Sequence, residues 1–391
     1  MKIAILAHGY SGATLPLAKH FADKRNDVDC YYLCWHGATQ MESMEYGKKL
    51  SGLSMAHKID LGNTLYKYLP NNVTVRIIPL FNPNNKLGLT RMKFQNAFNS
   101  MHVKAVARQI LNRNYDYVNV ILYTEFDYEI FQYLVKHDVN CCVTYHEVLT
   151  DLTQDSALLD VVNKANQLNT PIIVHSQKTK EDLLRVSDVK EERIHLIHFG
   201  LFESFKQYDN GKIIDGVGDG FLLYLGFIKP YKGLKYLYEA AQKLSSMKDL
   251  KIVVAGGGYD AIIDKMRVDK RFIIINRFIT NAELAFLMKS CKGIICPYIG
   301  ASQSGLVQTA MFFEKPVIAT RVGAFSEIIK DGVNGFLSIP ADADDLALSI
   351  ERFYKHDAMY DFTLPEQFQW EIIVQQYIEL FFKYTDYPSK A

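Results

Sequence analysis

The sequence lacks several features that would set it apart from ordinary globular proteins. None of its six cysteines belongs to a Cys-x-x-Cys pair, so we expect reduced thiols in hydrophobic cores rather than disulfides or a zinc site. No apolar run reaches the roughly eighteen residues of a membrane-spanning helix, and the first apolar run is too short for a signal peptide. These absences predict a cytoplasmic protein.

An excess of charge of one sign is also missing. The 391 residues include 44 Lys and Arg against 43 Asp and Glu, which gives no reason to expect a nucleic-acid partner. Locally the balance differs, because residues 61–115 contain several basic and aromatic side chains and no Asp or Glu. Such a stretch suits an anionic membrane surface, with peripheral attachment to its inner face. A solvated helix face with chance clustering is the alternative interpretation.

What is present is a long alternation of short apolar runs with helical patterns, which predicts parallel sheets covered on both faces. In the first half, the predicted strands are 2–7, 28–33, 73–79, 117–123, 140–145, 171–175 and 194–197. In the second half, they are 221–226, 251–255, 272–276, 293–296, 316–319 and 335–338.

A polar, glycine-rich stretch at 203–220 interrupts this alternation and is typical of a linker. We therefore predict an α/β protein with two Rossmann-like, doubly wound domains that face each other across a ligand-binding cleft. The first domain would comprise 1–202 together with a helix in 371–391 that crosses back to it. The second would comprise 203–370.

Two places in the first half carry residues suited to ligand binding. The loop after the first strand contains Gly12 just before a helix, where a small residue lets backbone approach an anion. A plain strand–helix turn explains that loop equally well. His146 follows a buried strand, where an imidazole can bond a sugar hydroxyl or phosphate oxygen. A histidine satisfied by nearby backbone is the alternative there.

Two loops in the second half carry stronger signals. Lys229 and Lys232 lie between a strand and the helix that we expect to begin near Lys232, a combination suited to a diphosphate. Ser302 and Ser304 precede Gly305 at the start of another helix, where hydroxyl and N–H donors suit an anion or a sugar. The alternatives are a solvated loop at the first place and a simple serine cap at the second.

Taken in order, these pieces resemble the retaining glycosyltransferases of family 4, which have the GT-B fold. The resemblance is sharpest over residues 225–336. That region contains Gly-Phe-Ile-Lys-Pro-Tyr-Lys-Gly-Leu, Val-Ala-Gly-Gly-Gly, Ala-Ser-Gln-Ser-Gly, Lys-Pro-Val-Ile-Ala-Thr and Asp-Gly-Val-Asn-Gly-Phe. It is looser elsewhere, through the Gly12 loop, the strand end at His146 and Phe-Gln-Trp at 368–370.

The resemblance implies a hexosyltransferase that takes a sugar from a UDP- or GDP-sugar, with retention at the anomeric carbon and without a metal or other cofactor. The acceptor would be a glycan or a lipid-linked glycan, in surface polysaccharide synthesis. Lys232 would hold the diphosphate, and His146 would touch the sugar near the reacting centre, so these are the predicted catalytic residues. The predicted donor-binding residues are Gly12, Lys229, Lys232, Arg277, Ser302, Ser304, Gly305, Leu306 and Thr309.

The sequence departs from the family at three positions. An Arg usually follows the glycine at 226 in the family; here that residue is Phe227, and Lys229 would substitute for the Arg. The family has glutamates eight residues apart where this chain has Ala301 and Thr309. One alternative is therefore a catalytically silent GT-B subunit that supports a partner glycosyltransferase. Another is a nucleotide-sugar 2-epimerase, but that reaction needs an acid/base pair that the sequence does not show.

Overall fold

The computed structural model describes residues 1–35, 40–41, 44–45, 57–58, 64–65, 67–81, 89–148, 156–300 and 305–385. The chain divides into two compact units. The first unit comprises Met1–Leu149, Gln154–Gly200 and Glu366–Ala391, and the second comprises Thr150–Thr153 and Leu201–Pro365. The first unit is thus assembled from three separate segments of the chain.

The described residues of the first unit form an eight-stranded sheet and a separate antiparallel pair. Its strands are β1 (Lys2–Ala7), β2 (Asp27–Trp35), β3 (Gln40–Met41), β4 (Met44–Glu45), β5 (His57–Lys58), β6 (Val73–Leu80), β7 (Tyr117–Ile121), β8 (Cys141–Tyr145), β9 (Ile172–Val174) and β10 (Ile194–Leu196). The sheet order is β10-β9-β8-β7-β1-β2-β6-β5, and β3 pairs with β4. Its neighbours are parallel except β5, which runs antiparallel to β6.

Helices connect these strands and cover the sheet. They are α1 (Ser11–Asp23), α2 (Leu89–Leu111), α3 (Glu125–Val135), α4 (Ser156–Asn166) and α5 (Gln177–Val186). At the start of α3, the Thr124 side chain accepts from the Asp127 N–H while the Asp127 carboxylate accepts from the Thr124 N–H. Such a capping box stabilises a helix by about 1 kcal/mol. By contrast, α1 follows the left-handed residue Tyr10 (φ 59°, ψ 28°), which makes no side-chain cap.

The second unit contains a six-stranded sheet in its described residues, with order β13-β12-β11-β14-β15-β16 and every pair parallel. These strands are β11 (Leu222–Leu225), β12 (Ile252–Ala255), β13 (Phe272–Ile275), β14 (Gly293–Cys296), β15 (Val317–Thr320) and β16 (Gly335–Ser338). Its helices are α6 (Leu234–Lys243), α7 (Ile262–Arg267), α8 (Asn281–Ser290), α9 (Gly305–Phe312), α10 (Phe325–Ile328) and α11 (Ala343–Tyr354).

The last helix, α12 (Trp370–Thr385), belongs to the first unit again. Its Phe381 ring stacks on Tyr117 of β7 with centroids 3.8 Å apart, and it also lies against Phe21 of α1. These rings are buried, so the hydrophobic effect stabilises the attachment of α12 to its unit.

The prediction of two Rossmann-like units with doubly wound parallel sheets is confirmed. Two details differ from the sequence analysis. The edge strand β5 is antiparallel, and α6 begins at Leu234 rather than near Lys232. The late start of α6 has a local cause, because Gly233 takes a left-handed conformation (φ 73°) that ends a 3₁₀ turn over Pro230–Lys232.

Candidate functional site

Basic side chains gather at the carboxyl edge of the second sheet. Because parallel strands end at the same edge, the loops after β11, β12, β13 and β14 emerge together there. Lys229 and Lys232 follow β11, and Arg277 follows β13. Positive charge at a strand-end edge favours an anionic ligand.

Lys232 is held against two aromatic rings. Its Nζ lies 3.8 Å from the ring centroid of Tyr298, which is buried, and 5.1 Å from that of Tyr231. The Tyr231 carbonyl accepts a hydrogen bond from the Ile299 N–H at 2.8 Å, which ties the loop after β11 to the loop after β14. Cation–π contacts of this kind stabilise a cation by about 0.5–2 kcal/mol. These contacts therefore fix the position of Lys232. The residue was predicted to lie at the start of α6, but it lies two residues before that helix.

Glycines allow this edge to pack backbone against backbone. A Cβ atom added to Gly233 would lie 1.8 Å from the carbonyl oxygen of Pro297, just beyond β14. A Cβ atom on Gly256 (φ 145°), just beyond β12, would lie 1.9 Å from the carbonyl oxygen of Gly226. Both positions need glycine for conformation as well as for space. The loops after β11, β12 and β14 are thereby held close together.

Arg277 forms a bidentate ion pair with Glu283 of α8, with N···O distances of 2.8 and 2.9 Å. The Glu283 carboxylate also accepts the Thr280 N–H in a capping box. The hydrogen bonds from Arg277, opposed by burial, lower the pKa of Glu283 to about 2. Glu283 thus orients the guanidinium, and the neighbouring Phe278 ring is exposed. The role of Arg277 in donor binding stays a prediction.

The start of α9 is described only in part, because Ser302 and Ser304 lie outside the described residues. Gly305 packs so closely on the Phe202 ring that an added Cβ would lie 2.4 Å from it. The Thr309 hydroxyl donates to the Gly305 carbonyl at 2.8 Å, and Thr309 is buried. Leu306 lies between them on the first turn. The Thr309 hydroxyl therefore supports its own helix, and the predicted roles of these residues stay predictions.

In the first unit, Gly12 lies in the first turn of α1 and is buried. The N–H groups of Ala13 and Thr14 donate to the Tyr10 carbonyl at 3.1 and 3.0 Å, which closes the turn without a polar cap. The Thr14 hydroxyl also donates to that carbonyl, at 2.9 Å. A small residue at position 12 is consistent with this tight entry to the helix.

His146 follows β8 and is 5 % exposed. Its ring is stacked on Tyr10 (centroids 3.8 Å apart) and on Phe199 (4.8 Å), with His175 at 5.0 Å. Burial, and then the neighbouring His175, hold the pKa of His146 well below its ordinary value. The Nε2 atom is buried and has no hydrogen-bond partner among the described residues. His146 is thus a neutral imidazole that can bond a hydroxyl.

The structure adds residues that sequence reasoning missed. Tyr298 and Tyr231 hold Lys232, Glu283 holds Arg277, and Tyr10 and Phe199 enclose His146. The sequence could have indicated Tyr10 and Phe199 as candidate site residues, because each lies just after a predicted strand. Nothing in the sequence linked Tyr298 to Lys232, since the two are joined only by strand pairing.

Two features are absent from the residues that the structure describes. These residues contain no group of three or more His, Cys, Asp or Glu side chains placed to hold a metal ion. They also contain no helix that is both long and apolar enough to cross a membrane. The six cysteines are buried, and none of them forms a disulfide.

Comparison with known proteins places these features in a family context. Residues 220–356 match the family model "Glycosyl transferases group 1". An uncharacterized glycosyltransferase of Methanocaldococcus jannaschii is 23% identical over 54% of this chain and 59% of its own length. O-antigen chain mannosyltransferase C of Escherichia coli is 21% identical over 71% of this chain and 76% of its own. The chain therefore spans about three-fifths of the length of the first relative and about three-quarters of the length of the second.

Solved structures match over nearly the whole chain. Sucrose-phosphate synthase from Thermosynechococcus elongatus has a TM-score of 0.66 at 17% identity and 98% coverage of both chains. HepE from Anabaena, in complex with UDP and glucose, has a TM-score of 0.61 at 17% identity, covering 99% of this chain and 98% of that one. The fold is therefore that of the GT-B glycosyltransferases, and residues 220–356 carry the sequence pattern of glycosyl transferases group 1.

Proposed function

We propose that this chain is a hexosyltransferase that moves a sugar from a UDP- or GDP-sugar to a glycan or lipid-linked acceptor. Transfer retains the anomeric configuration and, as the resemblance implies, uses no metal. The observation that carries the proposal is Lys232, whose ammonium is fixed over two tyrosine rings at the carboxyl edge of the second sheet. The match of residues 220–356 and the UDP complex of HepE, a protein of the same fold, support it.

The chemistry follows from where charge develops. When the bond between sugar and diphosphate breaks, negative charge grows on the leaving phosphate. An ammonium already fixed at that place lowers the energy of the transition state without reorganising. Lys229, whose Nζ lies 5.7 Å from the Tyr231 ring centroid, adds a second positive charge on the same loop.

His146 takes the role of a hydroxyl partner for the transferred sugar. Its imidazole is neutral, so it does not compete with the lysines for phosphate. Its buried Nε2 atom gains a hydrogen bond when a hydroxyl reaches it. The departing phosphate can accept the proton of the acceptor hydroxyl, so the mechanism needs no carboxylate base.

A catalytically silent subunit is the second candidate, and Thr309 favours it. That residue stands where the family has a glutamate, and its hydroxyl is engaged with the Gly305 carbonyl inside the helix. Release of nucleotide from a donor sugar by the purified chain separates the two candidates. Sustained release supports the enzyme, and binding without release supports the silent subunit.

The first test is calorimetric titration of the purified protein with UDP, GDP, ADP and CMP. We expect one of them to bind, and we expect Lys232→Ala to weaken that binding about tenfold or more through loss of a charge-assisted contact. Lys235→Ala is the matched control, because Lys235 lies on the first turn of α6 and pairs with Glu239 at 3.9 Å. Equal affinity in wild type and Lys232→Ala would overturn the proposal.

We propose that the reaction belongs to surface polysaccharide synthesis and takes place at a membrane surface. The likeness to O-antigen chain mannosyltransferase C supports the polysaccharide part. The face of α2 supports the membrane part, with exposed Phe94 and Met101 beside basic side chains. Within the predicted stretch 61–115, residues 61–63, 66 and 82–88 lie outside the described residues.

A further inference from the structure

Tyr298 is a buried tyrosine whose ring lies against an ammonium group. It follows β14 by two residues, is 2% exposed, and its ring centroid is 3.8 Å from Lys232 Nζ. Among the described residues, the other lysine and arginine groups that lie over a ring are farther from it, at 4.8 to 5.9 Å. A cation this close to a ring interacts strongly with the negative face of the ring.

The Tyr298 ring is itself held by the core of the second unit. Its centroid is 5.4 Å from that of Phe325 in α10, and its carbonyl accepts a hydrogen bond from the Thr320 hydroxyl at 2.6 Å. Phe325 and Thr320 are buried as well. Because a packed core changes shape only at a cost, the ring keeps its place and the flexible lysine adapts to it.

The backbone of the lysine loop is attached to the same strand end. The Ile299 N–H donates to the Tyr231 carbonyl at 2.8 Å, and Gly233 approaches the Pro297 carbonyl too closely for a side chain. The residues on either side of the tyrosine thus contact the residues on either side of the lysine. The main chain therefore brings the two side chains together, and the ring fixes the ammonium.

A ring holds an ammonium group without neutralising it. A carboxylate partner would cancel the positive charge and occupy N–H donors that a phosphate needs. A ring attracts the cation but carries no net charge, so the field of the ammonium still reaches an anion. The neighbouring Cys296 thiol is also uncharged, because burial, opposed by Lys232 and by a hydrogen bond with Tyr298, raises its pKa to about 12.

Fixing a lysine side chain before its ligand arrives strengthens binding. A free lysine side chain populates many rotamers and loses that freedom when it binds a phosphate. A side chain that is already held in one place has less freedom to lose, and its charge is in position when the transition state forms. A tyrosine that only filled the core would give no such effect, since any apolar side chain of similar shape could replace it.

We infer that Tyr298 is a positioning residue for Lys232, and that its ring rather than its hydroxyl determines how strongly the second unit binds a diphosphate. The inference deepens the proposed function and rests on it in one respect, because the diphosphate of a nucleotide sugar is taken as the ligand of Lys232. It adds a residue that acts on the donor through another side chain.

The test replaces the tyrosine with a series of rings of nearly constant shape. Tyr298→Phe removes the hydroxyl, and mono-, tri- and pentafluorinated phenylalanine at the same position then weaken the negative face of the ring step by step. Calorimetry measures the binding of UDP, GDP, UMP and GMP to each variant. Pentafluorophenylalanine in place of Phe336 is the matched control, because Arg352 lies 4.8 Å from that buried ring on the edge strand β16.

We expect Tyr298→Phe to bind the diphosphate as wild type does. Affinity should then fall with each added fluorine, to about tenfold weaker in the pentafluorinated variant, because the cation–π contact is lost. Binding of the monophosphates, which lack the second phosphate, should change much less, and the variant at Phe336 should bind as wild type does.

A second measurement shows whether the ring acts through the lysine. Combined with Lys232→Ala, the pentafluorinated ring should weaken diphosphate binding no further, since the group that it positions is gone. The inference is overturned if affinity does not change along the fluorinated series, or if the ring has the same effect with and without Lys232.

NMR of the lysine side chains without nucleotide keeps the two proposals apart. The ring current of Tyr298 should shift the methylene protons next to the Lys232 ammonium upfield, and Tyr298→Leu should abolish this shift. Lys232→Arg identifies the signal, because the signal is missing from that variant. Diphosphate binding with no such shift would refute the inference alone. The shift without binding of any nucleotide would refute the proposed function and the role in diphosphate binding, but not the contact between ring and lysine.

Discussion

Gly233 is the single residue on which the geometry around Lys232 depends most directly. Its left-handed conformation and its approach to the Pro297 carbonyl both exclude a side chain. We expect Gly233→Ala to lower the free energy of unfolding by about 3 kcal/mol or more, because a backbone clash adds to the conformational cost. Urea denaturation measures this change.

Gly211 provides the matched comparison, since it has a similar φ (76°) but open space where a Cβ would stand. Gly211→Ala should lower the free energy of unfolding by about 1 kcal/mol, because only the unfavourable backbone conformation of alanine contributes. Equal losses in the two variants would mean that the contact with Pro297 contributes nothing to stability.

The ion pair of Arg277 and Glu283 predicts a defined pH dependence. The folded protein lowers the pKa of Glu283 from 4.5 to about 2, so its carboxylate stabilises the fold above pH 4.5, and this stabilisation is lost as the pH falls towards 2. Glu283→Gln should therefore reduce the free energy of unfolding at pH 7, by an amount on the order of 2 kcal/mol. Below pH 4.5 the difference from wild type should shrink.

Denaturation curves collected over this pH range give the measurement. Glu239→Gln is the control. Glu239 is 43% exposed and lies 3.9 Å from Lys235, so this ion pair stabilises the fold by only about 0.3 kcal/mol. A difference for Glu283→Gln that does not change with pH would point to lost packing rather than lost charge.

Helix α2 has an exposed face that carries both apolar and basic side chains. Phe94 and Met101 lie two turns apart on its exposed face, with exposed Lys93, Lys104 and Arg108 on the same side. We expect the protein to sediment with vesicles that contain phosphatidylglycerol and not with phosphatidylcholine vesicles. Phe94→Ser and Lys104→Glu should each weaken this binding severalfold.

Lys190→Glu makes the same change of charge at an exposed lysine (78%) of the first unit away from α2. It should leave vesicle binding close to that of wild type at moderate salt. Vesicle binding that Lys104→Glu and Lys190→Glu weaken equally would mean that net charge, and not the α2 face, attracts the membrane.

The main elements could be predicted from hydrophobic pattern because their strands are buried on both faces. Strand β1 matches the sequence prediction from end to end. Helix α8 has a capping box at Thr280, a pattern of residues that marks the start of a helix in a sequence. Strand β5, which pairs antiparallel to β6, has only two residues. A segment this short shows no hydrophobic periodicity, so the sequence could not predict it. The start of helix α1 at Ser11 is hard to recognise in the sequence, because the residue before it, Tyr10, begins the helix by its backbone conformation and provides no capping side chain.

For the whole molecule, sequence reasoning predicted the architecture better than the candidate site. The order of strands and helices in each unit follows from local patterns. The groups that fix Lys232 and His146 come from loops distant in sequence, such as Tyr298 and Phe199, and meet them only after the strands pair. Sequence can therefore nominate a functional side chain at a strand end, but the neighbours that set its charge and position require the fold.

The division of the chain has a consequence for its synthesis. The second unit ends at Pro365, whereas the first unit needs α12, whose Phe381 and Tyr377 close its core against Phe21 and Tyr117. As the ribosome moves along the message, the second unit has all of its main segment available before α12 emerges. Segments of the first unit are thus synthesised both before and after the main segment of the second unit, and a nascent chain stopped just after residue 365 would leave an apolar strip of the first unit uncovered.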